Sequence, residues 1–524
     1  MSHRTTFRLG TRRSALAWVQ SSQIAAALRA AHPGLEVELV GIDTRGDRIQ
    51  DVPLSGIEGK EFFTAEIDAA LIEGRVDMTV HSLKDLSLTR PETLVLAAVP
   101  RRANPRDIAI FAADVPARLA AGAGLRVGTS SPRRQQLLPS FFAQALPHAS
   151  RNRIELVTLR GNVDSRLRRL HEPRGSERQL DGVVLAFAGL SRLFADVATE
   201  RRGQVMLQEL LRGLPLMVLP LTDVPGAPGQ GALAIECRAD DARTRSLLAA
   251  LEHPPTRAAI TFERELLARH GGGCHQRFGA THVEVPGVGG VLHVGGTDAA
   301  GRDITRNEWL PEVALLPVTR NARAWNGAAQ TPPAAVTLMD PSTLYASVSA
   351  PAVFLAHSRA LIRGGSTALQ DRRLWTSGSA SWFRLAAQGL WVEGCTEGRG
   401  AAAAADLLSE PLLRLPPLAQ WDVLTHEGAE EGWNQGAWAG ARALATYATP
   451  ARLPGVNDGP PPDATHVFWS SIAQFERLRG GLGPEVQHAS RPGKTAEHLQ
   501  RAGLRHVQVF PSAEAWQQWI AGAP

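Results

Sequence analysis

The chain has 524 residues, 44% of them apolar and 20% charged, with a formal net charge of +5. That length predicts three or four globular domains, the composition excludes a disordered chain, and no run approaches the roughly 20 uninterrupted apolar residues that a membrane span requires. The cysteines Cys237, Cys274 and Cys395 have neither a disulfide pattern nor a metal-ligand spacing. The polar stretch from Met1 to Leu9 lacks a signal-like apolar core, so a cytoplasmic location is expected.

Taken in chain order, the pattern opens with a short strand ending at Leu9. Ser14 then caps a helix, Ala15 to Ala31, with Leu16, Val19, Ile24 and Leu28 as its apolar stripe. Val37 to Ile42 reads as a strand, Phe63 to Ile72 as an amphipathic helix and Val76 to Val80 as a buried strand. A second α/β set follows, with strands Ile108 to Phe111, Leu125 to Gly128, Ile154 to Leu159 and Gly182 to Ala186. Asp240 to His270 reads as two helices, and Thr281 to Val285 and Val291 to Gly295 as strands of a small α+β module. The Pro-, Ala- and Thr-rich stretch from Ala328 to Ala352 predicts a linker or exposed loop. Alternation resumes beyond it, with strands Ala352 to Leu355, Val423 to Thr425, His466 to Trp469 and Val507 to Phe510, and Ala401 to Ala405 as helix interior.

The basic residues include only three lysines, Lys60, Lys84 and Lys494. In so arginine-rich a chain, a retained lysine suggests a place where a compact ammonium is needed and a planar guanidinium does not fit. Residues 312–524 carry equal numbers of acidic and basic side chains, so the positive excess lies upstream. Its arginines come in clusters, but aromatics are only 6% of the chain. A basic stripe with interleaved stacking rings, as nucleic-acid binding requires, is therefore missing. A small polyanion is the better partner, with neither nucleic acid nor membrane involved.

Two segments carry the chemistry for such a ligand. Gly128-Thr129-Ser130-Ser131-Pro132-Arg133-Arg134 follows a strand and opens a helix, so backbone N–H groups, hydroxyls and two guanidiniums converge on a carboxylate or phosphate. Thr158-Leu159-Arg160-Gly161-Asn162-Val163-Asp164-Ser165-Arg166 repeats this at the next strand end, where open α/β sheets form their ligand crevice. Cys274 follows Gly271-Gly272-Gly273, which lets something bulky approach its sulfur. A Cys/His protease lacks a placed base and oxyanion motif here, since His275 is the immediate neighbour. A covalent attachment point is the sharper reading of Cys274.

The ordered series Thr11-Arg12-Arg13-Ser14, Thr44-Arg45-Gly46-Asp47, Gly59-Lys60, His81-Ser82-Leu83-Lys84-Asp85, Gly128 to Arg134, Leu159 to Arg166, Ala188 to Arg192, Gly229-Gln230-Gly231 and Gly272-Gly273-Cys274 resembles porphobilinogen deaminase over about residues 5–310. The resemblance implies an α/β fold of two periplasmic-binding-protein-like lobes and a small α+β domain. We expect domain 1 at 1–104 with 214–236, domain 2 at 105–213 and domain 3 at 237–311. It also implies a dipyrromethane cofactor, thioether-linked to Cys274 and built from the substrate porphobilinogen. Asp85 is then expected as a buried catalytic carboxylate that steadies positive charge on pyrrole nitrogens. Lys84, Ser82, Thr129, Ser130, Ser131, Arg133, Arg134, Arg160 and Gly161 are expected around the cofactor. Arg12, Ser14, Lys60, Phe63, Arg166 and Arg192 are expected around the substrate. A monomer without metal is expected. Glu61, Ala65, Ser87 and Pro132 depart from the family pattern.

Residues 312–524 resemble a shortened uroporphyrinogen-III synthase through Val318-Thr319-Arg320, Trp375 to Ala380, Phe468-Trp469-Ser470-Ser471 and Pro492 to Ala496. This implies a two-lobed α/β region that cyclises the linear tetrapyrrole, with Tyr447, Ser470, Ser471 and Thr495 as site residues. His426 stands where an arginine is usual. A degenerate structural domain is the alternative, and a two-lobed sensor of acidic ligands is the alternative for the whole chain.

Overall fold

The computed structural model describes residues 6–44, 64–148, 153–195, 201–270, 277–285, 288–311, 315–318, 321–326, 335–399, 401–433, 438–448, 459–504 and 506–522. The chain forms two compact units, one of Met1–His282, His293–Thr305 and Glu410–Arg414, the other of Val283–Leu292, Arg306–Ser409 and Leu415–Pro524. The exchange between units therefore does not fall at a single point near residue 312.

In the first unit, β1 (Thr6–Arg12), β2 (Glu36–Ile42), β3 (Met78–Ser82), β4 (Leu94–Ala98) and β10 (Leu233–Arg238) form a sheet of order β2-β1-β3-β10-β4. β1 runs parallel to β2 and β3, while β10 is antiparallel to β3 and β4. A second sheet has order β7-β6-β8-β5-β9, from β5 (Asp107–Phe111), β6 (Leu125–Thr129), β7 (Ile154–Thr158), β8 (Gly182–Ala186) and β9 (Leu216–Val218). Here β6 runs parallel to β7 and β8, and β5 is antiparallel to β8. Both lobes thus share one plan, in which the strand order reverses at β1 and at β6. At such a reversal the connections leave to opposite faces and a crevice opens at the carboxyl ends. The chain crosses to the second lobe between Ala98 and Asp107 and returns between Val218 and Leu233. The return lies a few residues later than the expected 214, because β9 pairs with β5.

The helix Ala15–Ala31 packs Val19, Ile24, Ala25 and Leu28 inward, and Ser14 caps it by accepting from Ala17 N. Leu9, Ile24, Leu28, Val80 and Ile235 share one core with Leu248, so the helix Ala242–Leu248 closes the first lobe. The expected helix after Phe63 is Ala65–Ile72. β11 (Phe278–Val285), β12 (Gly289–Gly296) and β13 (Arg306–Pro311) form a three-stranded sheet.

In the second unit, β15 (Val336–Thr337), β16 (Ala352–Leu355), β17 (Arg373–Thr376), β18 (Val392–Cys395), β19 (Trp421–His426) and β20 (Arg442–Ala448) give the order β15-β20-β19-β16-β17-β18. All pairs are parallel except β15 with β20. A four-stranded parallel sheet joins β14 (Ala324–Trp325), β21 (His466–Trp469), β22 (Gln487–Ser490) and β23 (Val507–Val509). The expected linker from Ala328 to Ala352 is corrected where it is described. It holds β15 and the helix Pro341–Ser347, which starts because Asp340 accepts from Thr343 N and Pro341 suits the first turn. The alanine run is also corrected, since Ala401–Ala404 is a 3-10 turn leading into Ala405–Leu408.

Candidate functional site

The first crevice is lined by the ends of β1 and β3. Arg12 ends β1 and Ser14 follows it, and β3 ends at Ser82 and passes into a 3-10 turn, Leu83–Asp85, that carries two charged residues at the strand end. Leu83 is fully buried and anchors this turn. Lys84 is half-buried, and burial lowers its pKa against the pull of Asp85. Asp85 corrects the expectation of a buried carboxylate, for it is exposed at the end of the turn. Its charge nevertheless acts on both Lys84 and Arg166.

Gln20 was missed in the sequence. It lies on the buried face of its helix, and its amide donates to Ser82 Oγ at 3.0 Å. A polar residue inside an otherwise apolar stripe was the available signal. Behind β3, the ligand atoms of Asp68, His81 and Glu236 gather within 4.8 Å of one another. Arg90 fills the cation position there, with Nη2 at 2.6 Å from Asp68 Oδ1 and Nε at 2.9 Å from Glu236 Oε1. Burial and the nearby Arg90 and Arg12 push the His81 pKa down to about 3, which leaves a neutral ring.

The second crevice collects the ends of β6, β7 and β8. Thr129 is fully buried and its Oγ1 accepts from Ser131 N. Ser131 caps the helix Pro132–Ala145 by accepting from Arg134 N, and the unusual Pro132 takes the first helical position, where a missing N–H costs nothing. Arg133 and Arg134 are 3% and 5% exposed, so they are not the open receptors their sequence suggests. Arg133 donates to Asp107 Oδ2 at 2.7 Å and Pro225 O at 2.7 Å. Arg134 donates to Asp107 Oδ1 at 2.8 Å and Val184 O at 2.8 Å. Burial alone would raise the Asp107 pKa, but the two guanidiniums hold its carboxyl well below the usual range. Two cations against one anion leave this buried spot electropositive.

Arg166 donates from Nε to Gly161 O at 2.7 Å and from Nη1 to Ser130 Oγ at 3.3 Å, tying the β7 loop to the β6 loop. Gly161 has φ +104°, and a side chain there would strike Ser165. Burial, then the like charges of Arg134 and Arg160, lower the Arg166 pKa to about 10. Arg192 donates to Gly231 O at 2.7 Å, and burial lowers its pKa to about 10. Arg133 Nε, Arg134 Nε and Arg160 Nη2 are buried and have no acceptor among the described residues. Such donors call for an acceptor, and the carboxylates of an acidic cofactor fit guanidinium donors. Cys274, Lys60 and Phe63 lie outside the described residues.

In the second unit, the strand order reverses between β16 and β19. The loops at that reversal bring His357, Arg359 and His426 together with Arg384, whose Nη1 donates to Ser358 Oγ at 3.0 Å. Burial and these three neighbours lower the His357 pKa. Tyr447 is buried on β20, its ring centroid 6.0 Å from that of His426, and burial raises its pKa. Ser470 and Ser471 bond to Gln474, and Ser471 caps the helix Ile472–Leu478. Thr495 is half-buried in the helix Lys494–Arg501. Among the described residues no helix is long and apolar enough to cross a membrane.

A family model described as the dipyromethane cofactor binding domain of porphobilinogen deaminase matches residues 7–246. The porphobilinogen deaminase of Roseiflexus sp. (strain RS-1) is 45% identical over 280 residues, which are 53% of this chain and 82% of that relative. That of Acidothermus cellulolyticus is 44% identical over 284 residues, 53% of this chain and 76% of the relative. That of Geobacter sulfurreducens is 40% identical over 304 residues, 57% of this chain and 85% of the relative. Relatives at this identity, each covered over three quarters of its length or more, place the chain in the porphobilinogen deaminase family, whose cofactor is a dipyrromethane.

Proposed function

We propose that the first 311 residues condense four porphobilinogen molecules head to tail, with release of ammonia, on a dipyrromethane carried by Cys274, and that residues 312–524 cyclise the linear product to uroporphyrinogen III. The observation that carries the first half is the set of buried guanidinium donors on Arg133, Arg134 and Arg160 that lack an acceptor among the described residues. Each pyrrole unit brings two carboxylates, and guanidiniums are their matched receptors.

The dipyrromethane, when bound, supplies the pyrrole carbon on which the chain grows. Arg133, Arg134, Arg160 and Lys84, with Ser82, Thr129, Ser130, Ser131 and Gly161, would hold its acidic side chains and backbone-facing edges. Arg12, Ser14, Arg166 and Arg192, with Lys60 and Phe63, would hold the incoming substrate. Asp85, exposed between Lys84 and Arg166 in its electrostatic reach, accepts hydrogen bonds from pyrrole N–H groups and stabilises positive charge that develops there. The same carboxylate is placed to take the proton released from the pyrrole ring. Burial lowers the Lys84 pKa, and the charge of Asp85 beside it works the other way and favours the ammonium that a cofactor carboxylate would meet.

The cyclisation reading draws on the crevice of the six-stranded sheet. His357, Arg359, Arg384 and His426 offer cationic or donor groups suited to an acidic ligand, and Tyr447, held neutral by burial, is a hydroxyl donor that could assist loss of a hydroxyl group. Ser470, Ser471 and Thr495 would add backbone-loop contacts from the other sheet. The competing reading is a deaminase whose last 213 residues serve only structure, favoured by the capping bonds that already engage Ser470 and Ser471.

Intact mass is the first test: the purified protein should exceed its sequence mass by two linked pyrrole units on Cys274, and an unmodified chain defeats the deaminase proposal. Incubation of the whole protein with porphobilinogen, oxidation and isomer separation test the second half. Type III product is expected, and only type I defeats cyclisation.

A further inference from the structure

The return crossing to the first lobe carries Gly229-Gln230-Gly231. Both glycines have left-handed backbone, φ +76° and +88°, and a side chain on either would strike Leu83 or Ala103 O. The flanking positions therefore fix the aim of the one side chain between them. Gln230 is 1% exposed. Its Nε2 faces Pro105 O at 2.7 Å, Arg106 O at 3.2 Å and Asp107 Oδ1 at 2.8 Å. Three acceptors on one side settle the orientation of the amide. Its Oε1 consequently faces Lys84 Nζ, at 3.5 Å. The main chain at this point is pinned as well: Arg102 Nε donates to Gln230 O at 2.7 Å, Arg192 Nη2 to Gly231 O at 2.7 Å, and Gly229 N donates to Glu263 Oε2 at 2.6 Å.

One amide thus touches a group from each lobe. On the first lobe it meets Lys84, and on the second it meets the carboxylate that orients Arg133 and Arg134.

We propose that Gln230 is a positioning residue: it holds Lys84 and the Asp107–Arg133–Arg134 cluster in register across the crossing, so that the two halves of the carboxylate cradle stay aligned as the bound chain grows. The proposal rests on the reading above that Lys84, Arg133 and Arg134 hold cofactor carboxylates. The groups facing Gln230 are Lys84 from the turn after β3, Arg102, Arg106 and Asp107 from the outward crossing and β5, Arg133 and Arg134 through Asp107, Arg192 from the helix Phe187–Ala195, and Glu263 from the helix Pro254–Arg269.

The test uses the full-length holoprotein with Gln230→Leu and Gln230→Glu. Gln230→Leu should still carry the two-pyrrole increment, while its kcat falls about tenfold or more and KM stays within about twofold, as misalignment rather than lost binding predicts. With porphobilinogen supplied below saturation, intact mass should show partly extended chains accumulating on the variant. Gln230→Glu keeps the shape but, when ionised, repels Asp107 and cannot donate to the carbonyls. Protonation restores one donor, so its activity relative to the parent should climb as pH falls. An unchanged kcat and chain-length distribution in Gln230→Leu overturns the proposal. If that variant fails to fold, a Gln230→Glu profile parallel to the parent's overturns it instead. Absence of the increment from the parent protein would strike the underlying deaminase reading, a result distinct from either.

Discussion

Both units pair buried charge, as Asp107 does with Arg133 in the first and Asp422 with Arg442 in the second, but they differ in how much aromatic surface they bury. In the first, buried charges sit together: Asp107 with Arg133 and Arg134, Asp68 and Glu236 with Arg90, and Glu263 with Arg102 at 2.5 Å. The second holds eleven of the chain's twelve tryptophans, and Trp375, Trp382, Trp421, Trp438, Trp469 and Trp516 are almost wholly buried. Phe354, Trp433, Trp438 and Trp421 pack in one cluster of tilted and edge-to-face rings, at centroid distances of 4.6 to 5.6 Å. A buried ion is tolerated only with its own partners in place, so that a set must be kept whole. An aromatic cluster needs only volume and shape, and tolerates exchange.

The comparison can be broken most directly at Asp85. Asp85→Asn should lower deaminase turnover by about 100- to 10,000-fold while the protein keeps its melting temperature, since the side chain is exposed. Undiminished steady-state turnover would remove the carboxylate from the mechanism. Next in size, Asp107→Ala leaves two buried guanidiniums without their anion and should cost about 3–5 kcal/mol. Urea unfolding of the first unit reads this, and a loss within experimental error would show the site to be wet. Trp421→Ala should cost a similar 3–5 kcal/mol or somewhat less, but in the unfolding of the second unit alone, with deaminase kinetics retained. If both substitutions weaken one shared transition, the two units do not fold independently.

Arg166→Lys separates shape from charge. It keeps the cation but loses the planar fork that reaches Gly161 O and Ser130 Oγ together, and an increase in KM of about tenfold is expected from steady-state kinetics. A further effect concerns acid. His81 and His488 have folded-state pKa values lowered to about 3 and about 4 from 6.5. Below pH 6.5 the unfolded chain takes up protons that the folded rings refuse, so stability is lost as pH falls from about 6.5 toward 4. Both transitions should therefore move to lower temperature in calorimetry across that range. His488→Asn should flatten the shift of the second unit only, and an unaltered slope would assign the acid sensitivity elsewhere.

Much of the first unit could be read in its sequence because its chemistry sits in short runs at strand ends. Gly128 to Arg134, Leu159 to Arg166 and His81 to Asp85 fall where the strands predict, and the helices after Ser14 and Ser131 begin at their caps. Less was legible where the signal is not local. The strands Leu94–Ala98, Val392–Cys395 and Gln487–Ser490 were not anticipated, since four or five apolar or mixed residues carry no period that separates strand from helix. The linker expected before Ala352 failed for a related reason, as Asp340-Pro341 in a Pro- and Ala-rich stretch is also a helix start.

By itself the sequence determined the alternating α/β class, the two arginine-bearing strand-end loops and the family they belong to. Those features depend on residue type and near neighbours, which the chain writes consecutively. Tertiary structure alone decided that Asp85 faces outward, that Gln20 backs Ser82, and that Arg133 and Arg134 share Asp107. It also decided that Gln230 meets Lys84 from 146 positions away. Burial and pairing of charge are set by which distant segments meet, and no local pattern of types contains that.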